Sequence, residues 1–122
     1  MSEAVSGLVP YAHVADVERS IAFYWMLGFE VRATRPHEGR LGWAFLQCGE
    51  ARLMLAAATG TIEADAQAVL FYLYCRDVAA LREQLLTQGV EVGEVTHPDH
   101  MPAGEIRLHD PDGYCLLIGQ PR

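Results

Sequence analysis

Residues 16–31 read Asp-Val-Glu-Arg-Ser-Ile-Ala-Phe-Tyr-Trp-Met-Leu-Gly-Phe-Glu-Val, and their framework returns half a chain later. Asp16-Val17, Gly28 and Glu30-Val31 recur as Asp77-Val78, Gly89 and Glu91-Val92, each displaced by half of the 122 residues. In both copies an Asp suited to cap a helix N-terminus is followed twelve positions on by a Gly suited to its C-terminal end. An apolar strand start comes next. Each copy is therefore expected to contain one helix of about three turns. A duplicated unit implies a pseudo-two-fold architecture, and ligands commonly sit where such units meet.

Working outward from the first helix, residues 8–14 form a strand pattern before Asp16, and 29–35 form another after Gly28. A polar turn at 36–40 leads to a strand over 41–48, and Gly49-Glu50 turns the chain into a fourth over 51–57. The run 59–67 is small and polar, at the repeat boundary. In the second copy, 68–75 is an aromatic and aliphatic strand pattern, and Val78, Leu81 and Leu85 mark one face of the helix. Residues 90–95 are predicted as a strand. The stretch 96–103, with two prolines and two histidines, reads as an irregular loop bordering a site. Residues 104–109 and 114–119 close as a hairpin across Asp110-Pro111-Asp112-Gly113, because Pro presets φ and Gly accepts positive φ. The fold class is α+β: two βαβββ modules in tandem, module one at 8–57, a linker at 58–67 and module two at 68–119. Together they are read as one domain spanning 1–122.

Composition narrows the chemistry. The hydrophobic content of 51% can supply a core, and the net charge is -7, with nine bases that are all arginine. Without lysine there is neither Schiff-base chemistry nor a P-loop, and the acidic balance argues against nucleic-acid partners. It favours a cationic partner instead. No stretch approaches the roughly 20 apolar residues that span a bilayer, and residues 1–7 carry no leader pattern. The expected location is cytoplasmic with no membrane partner. Cys48, Cys75 and Cys115, an odd number in apolar runs, are expected to be buried reduced thiols.

The segments Asp-Val-Glu-Arg-Ser-Ile-Ala-Phe-Tyr (16–24), Leu-Gly-Phe-Glu-Val (27–31) and Leu-His-Asp-Pro-Asp-Gly-Tyr (108–114) resemble the vicinal oxygen chelate superfamily, which includes glyoxalase I, extradiol dioxygenases, fosfomycin-resistance enzymes and bleomycin-resistance proteins. The resemblance covers essentially the whole chain. It implies a U-shaped mixed sheet with the helices on its outer face, and, in the superfamily's enzymes, a divalent metal held inside the sheet. Carried over by position, the ligands of those enzymes fall on Val9, Ala68 and Leu117, and the further Glu of glyoxalase I falls on Met54. All four are apolar, whereas a Zn²⁺, Mn²⁺ or Ni²⁺ site needs at least three N, O or S donors. The expectation is no metal and no cofactor. A displaced site would have to use His97, His100, Glu105 or His109.

Once one inward position per strand is accepted from the resemblance, alternation assigns the rest. The inward set is Val9, Tyr11 and His13; Trp43, Phe45 and Gln47; Arg52 and Met54; Ala68, Leu70, Tyr72 and Tyr74; Glu105, Arg107 and His109; and Cys115 with Leu117. Ala44, Leu46 and Cys48 are expected under a helix. The expected ligand-binding residues are Tyr11, His13, Trp43, Phe45, Gln47, Arg52, Met54, Leu70, Tyr72, Glu105, Arg107 and Leu117, an aromatic trough with a few polar anchors. Arg52 and Arg107 call for a carboxylate, with Glu105 offered as partner to either. His13, Glu105 and Tyr11 are the only candidates for acid–base chemistry, and no spacing makes them a triad, so no catalytic residue is assigned. Trp25 reads as a packing or dimer residue.

The resulting expectation is a non-catalytic homodimer, similar to the bleomycin-resistance branch, that sequesters a bulky aromatic or cationic antibiotic-like molecule, whether for resistance, self-protection or transport within a biosynthetic pathway. The alternative is a metal-dependent lyase, isomerase or dioxygenase with displaced ligands. A third possibility is a module that serves only protein association.

Overall fold

The computed structural model describes residues 4–122. The chain divides into two compact units, one ending at Ile62 and the other beginning at Glu63. Both are α+β and follow the tandem-module order.

The first unit holds β1 (Tyr11–Val14), α1 (Val17–Trp25), β2 (Glu30–His37), β3 (Arg40–Cys48) and β4 (Ala51–Ala57). Its sheet runs β1-β4-β3-β2, with β1 parallel to β4 and the other pairs antiparallel. Asp16 caps α1 by accepting the Arg19 backbone N–H at 3.1 Å. At the other end the cap residue is Met26, and Gly28, with φ of 99°, turns the chain one residue later than a simple C′ glycine would. The pleat divides the sheet into two faces. Ala12, Val14, Ala44, Leu46, Leu53 and Leu55 are buried, as are Val17, Phe23 and Tyr24 of α1. Cys48 lies on this same face, its thiol 4.0 Å from the Leu27 carbonyl just beyond α1. Burial of these side chains is the main stabilisation of the unit, at about 25 cal/mol per Å² of apolar surface.

The second unit holds β5 (Phe71–Tyr74), α2 (Val78–Thr87), β6 (Glu105–His109) and β7 (Cys115–Gly119), preceded by a 3-10 turn at Ala64–Ala66 within the expected linker. Its sheet order is β5-β7-β6, parallel then antiparallel. Asp77 caps α2 through the Ala80 N–H at 3.0 Å, and Gly89 occupies the C′ position with φ of 81°. Ile106, Leu108, Leu116 and Ile118 are buried on one face, with Val78 and Leu85 of α2 buried too. The β6–β7 turn forms as the sequence reading has it: the Asp110 carboxylate accepts the N–H groups of Asp112 and Tyr114, both at 2.9 Å, and Gly113 takes φ of 88°.

Three expectations are corrected. Residues 90–95 do not form a strand. The segment touches β6 at two points, Gly93 N–H to the Arg107 carbonyl at 3.0 Å and a reciprocal Thr96–Glu105 pair at 2.9 Å. These points are out of step by one residue, a bulge that breaks the ladder. Arg82 of α2 claims the Gly93 carbonyl at 2.8 Å. The first strand starts at Tyr11 rather than at residue 8, and β5 at Phe71 rather than 68, leaving Val9, Ala68 and Leu70 outside strands. Of the three free thiols only Cys115 is buried; Cys48 and Cys75 are half-buried, and burial pushes the Cys75 thiol up.

Candidate functional site

Cross-strand register places the expected residues of the first unit on one face, away from its apolar interior. One row is Tyr11, Met54, Phe45 and Ala33; the next is His13, Ala56, Trp43 and Arg35; Arg52 stands beside Gln47. Alternation alone brings seven expected residues together: Tyr11, His13, Trp43, Phe45, Gln47, Arg52 and Met54. Their environment differs sharply from that of the opposite face. Tyr11 is 54% exposed, and Trp43, Phe45 and Met54 are only half-buried, whereas Ala44, Leu46, Leu53 and Leu55 are almost inaccessible. Tyr11 and His13 meet at a ring separation of 5.5 Å, and Trp43 and Phe45 at 6.4 Å.

Arg35, which the sequence reading did not single out, sits with its guanidinium 5.7 Å from the centre of the Trp43 ring, within the range of a cation–π contact. The signal that could have found it is register: Arg35 pairs with Trp43 across β2 and β3. A shallow cavity of about 160 Å³ also lies in this unit, beside the start of α1, where Arg40 closes on Asp16 at 3.3 Å. It is smaller than the roughly 300 Å³ at which drug-sized sites begin, and none of the expected residues lines it.

In the second unit the face turned from the apolar interior carries Tyr72, Leu117 and Arg107 in one row, Tyr74, Gly119 and Glu105 in another, and Cys115 beside His109. The expected Tyr72, Glu105, Arg107 and Leu117 therefore share it, while Leu70 is exposed just before β5. Glu105 is buried on this face, 9% exposed. Its Oε2 accepts the Tyr72 hydroxyl in a short hydrogen bond and lies 3.1 Å from His100 Nε2. Burial, then the hydrogen bond to Glu105 and its negative charge, push the Tyr72 phenol up to about 12. Met101, buried in the 96–104 loop, packs over Gly119: a Cβ there would meet its Cγ at 2.8 Å. The loop is thus clasped to the sheet by His100 and Met101.

The Glu105 carboxylate takes a phenol and an imidazole, not an arginine, and the exposed Arg107 makes no ion pair with a carboxylate among the described residues. That corrects the expected ion pair. The donors also fail to assemble a metal site. Met54 and Leu117 stand on these faces as apolar side chains, and Val9 and Ala68 supply no donor. Among the described residues no three His, Cys, Asp or Glu side chains come together as a metal would need. Of the displaced candidates His100 and Glu105 touch, but His97 Nδ1 is engaged 2.9 Å from the Pro102 carbonyl. The residues present therefore do not fit the family's ion.

Two mixed sheets in tandem, each with a capped helix on one face and a partly exposed aromatic face opposite, define the class of fold. A model of the Glyoxalase/Bleomycin resistance protein/Dioxygenase superfamily matches residues 10–118, and the chain belongs to that superfamily. No curated protein matches the chain. Among solved structures, a bleomycin-binding protein complexed with bleomycin is 24% identical over 97% of this chain and 100% of its own, with a TM-score of 0.77. TnmS3, an antibiotic-binding protein from Streptomyces sp. CB03234, is 24% identical over 99% of this chain and 100% of its own, with a TM-score of 0.79. A lactoylglutathione lyase from Agrobacterium tumefaciens is 19% identical over 97% of this chain and 96% of its own, at 0.68. At such identities the likeness establishes the fold, which binding proteins and an enzyme share.

Proposed function

We propose that this protein binds and sequesters a bulky aromatic, antibiotic-like small molecule and does not transform it. The observation that carries the reading is substitution with a purpose left over: the four positions where the superfamily's enzymes hold an ion are Val9, Met54, Ala68 and Leu117, while Tyr11, Trp43, Phe45 and Met54 form a continuous half-exposed surface. Rings presented at that exposure gain most from being covered by another flat apolar body. A metal-assisted lyase or isomerase has one point in its favour, the His100–Glu105 contact, but among the described residues no third donor joins it.

Apolar side chains exposed elsewhere, such as Leu8 at 86% and Trp25 at 64%, support a homodimer in which a second copy covers them. Three free thiols fit a reducing cytoplasm. The test is titration of the protein with glycopeptide, quinone and peptide antibiotics, following tryptophan emission. An occupied face changes the Trp43 signal and returns the ligand chemically intact. Turnover of any bound compound would contradict the reading.

A further inference from the structure

The chain is acidic as a whole, but the face that would hold the ligand is not. In the first unit the acids Asp16 and Glu18 belong to α1 and its cap, Glu38 and Glu50 lie in turns, and Arg40 is neutralised by Asp16. On the aromatic face stand Arg35 and Arg52, both exposed and, among the described residues, neither in an ion pair with a carboxylate. Arg35 donates to the Thr34 carbonyl of its own strand at 2.9 Å and lies over Trp43. Among the described residues of this unit the acid sharing this face is Glu30, opposite Gln47 on the outer strand. It is two strand spacings, about 10 Å between backbones, from Arg52, and among the described residues no ion pair joins the two.

We propose that this face takes an aromatic compound bearing an anionic group, a carboxylate or its chemical equivalent, a refinement that rests on the binding function above. The dimensions fit. Arg35 and Trp43 form a stacked platform at one end, the Tyr11, Met54, Phe45 row lies between, and Arg52 stands beside Gln47, four residues or about 13 Å further along β3. A fused-ring system lying over the row places its acid at Arg52, whose planar guanidinium suits a carboxylate. The net charge of -7 does not oppose this strongly, because charges more than about 8 Å away are screened at physiological salt, whereas the arginine acts in contact. The same comparison disfavours the cation that net charge alone suggests.

Trp25→Phe leaves Trp43 as the sole tryptophan, so its indole N–H gives a single reporter resonance. That resonance is followed during titration with 2-naphthoate, 2-naphthamide and 2-naphthylmethylammonium, matched in shape and differing in charge. The expected result is at least tenfold tighter binding of the naphthoate than of either other compound. Arg52→Gln should bring the naphthoate to the amide's affinity, and Arg52→Lys should recover part of the difference. Equal affinities for all three, or preference for the ammonium, overturn the charge assignment and leave the binding function standing. If none of the three moves the resonance, both fall together.

Discussion

Tyr72 and Asp16 report their surroundings through opposite pH behaviour. In the folded chain the Tyr72 phenol is held up to about 12 by burial and by Glu105, whereas an unfolded tyrosine ionises near 10. Below pH 10 both states keep the proton and stability is full; between 10 and 12 only the unfolded chain gains by losing it, so stability falls. Urea midpoints measured at pH 9 and pH 11 should therefore drop further for the wild type than for Tyr72→Phe, and parallel drops would show that the phenol is not confined as described. Asp16 behaves in the reverse sense. Hydrogen bonding from the Arg19 backbone, assisted by Arg40 against some desolvation, holds its carboxyl below the usual value. Its contribution is present above the ordinary carboxylate range and disappears as pH falls through the lowered pKa, so Asp16→Asn should flatten the acid limb of the stability profile. An unchanged limb in that variant counts against the cap.

At the scale of elements, local chemistry was legible and long-range register was not. Both helices and the β6–β7 hairpin were readable because Asp16, Asp77 and Asp110 each act on backbone groups within four residues. Which strand residues share a face was readable too, since the pleat fixes alternation once one position is known, although Val9, Ala68 and Leu70 fall outside the strands. The 90–95 segment was not, because its composition suits a strand while the one-residue slip between its two contacts with β6, and the claim of Arg82 on Gly93, arise only in the assembled unit. Glu105 was placed correctly on its face, but its partners come from Tyr72, 33 residues away, and from a loop whose course no pattern specifies. Two substitutions test the elements. Asp77→Ala should cost about 1 kcal/mol through the lost cap of α2. Gly113→Ala should cost about 2 kcal/mol, because φ of 88° disfavours any side chain and the new Cβ would meet the Ala64 Cα at 2.7 Å. Equilibrium urea unfolding reads both, and losses under a few tenths of a kcal/mol would mean that neither feature holds its element.

The whole molecule joins an acidic exterior to faces bearing aromatics and arginines, with apolar side chains such as Trp25 left outside. Light scattering should give twice the 13.5 kDa chain mass, and Trp25→Glu should shift it toward one chain. A monomer at all concentrations would assign Trp25 to something else. Among the described residues no helix is long and apolar enough to cross a membrane. The functional proposal depends most on what the curved family's ion-holding positions have become, and elemental analysis of purified protein, dialysed after exposure to Zn²⁺, Ni²⁺ and Mn²⁺, addresses that without knowledge of the ligand. With Val9, Met54, Ala68 and Leu117 in place, the expected content is far below one ion per chain. One equivalent of a divalent metal that survives dialysis would contradict it and return the protein to the superfamily's catalysts.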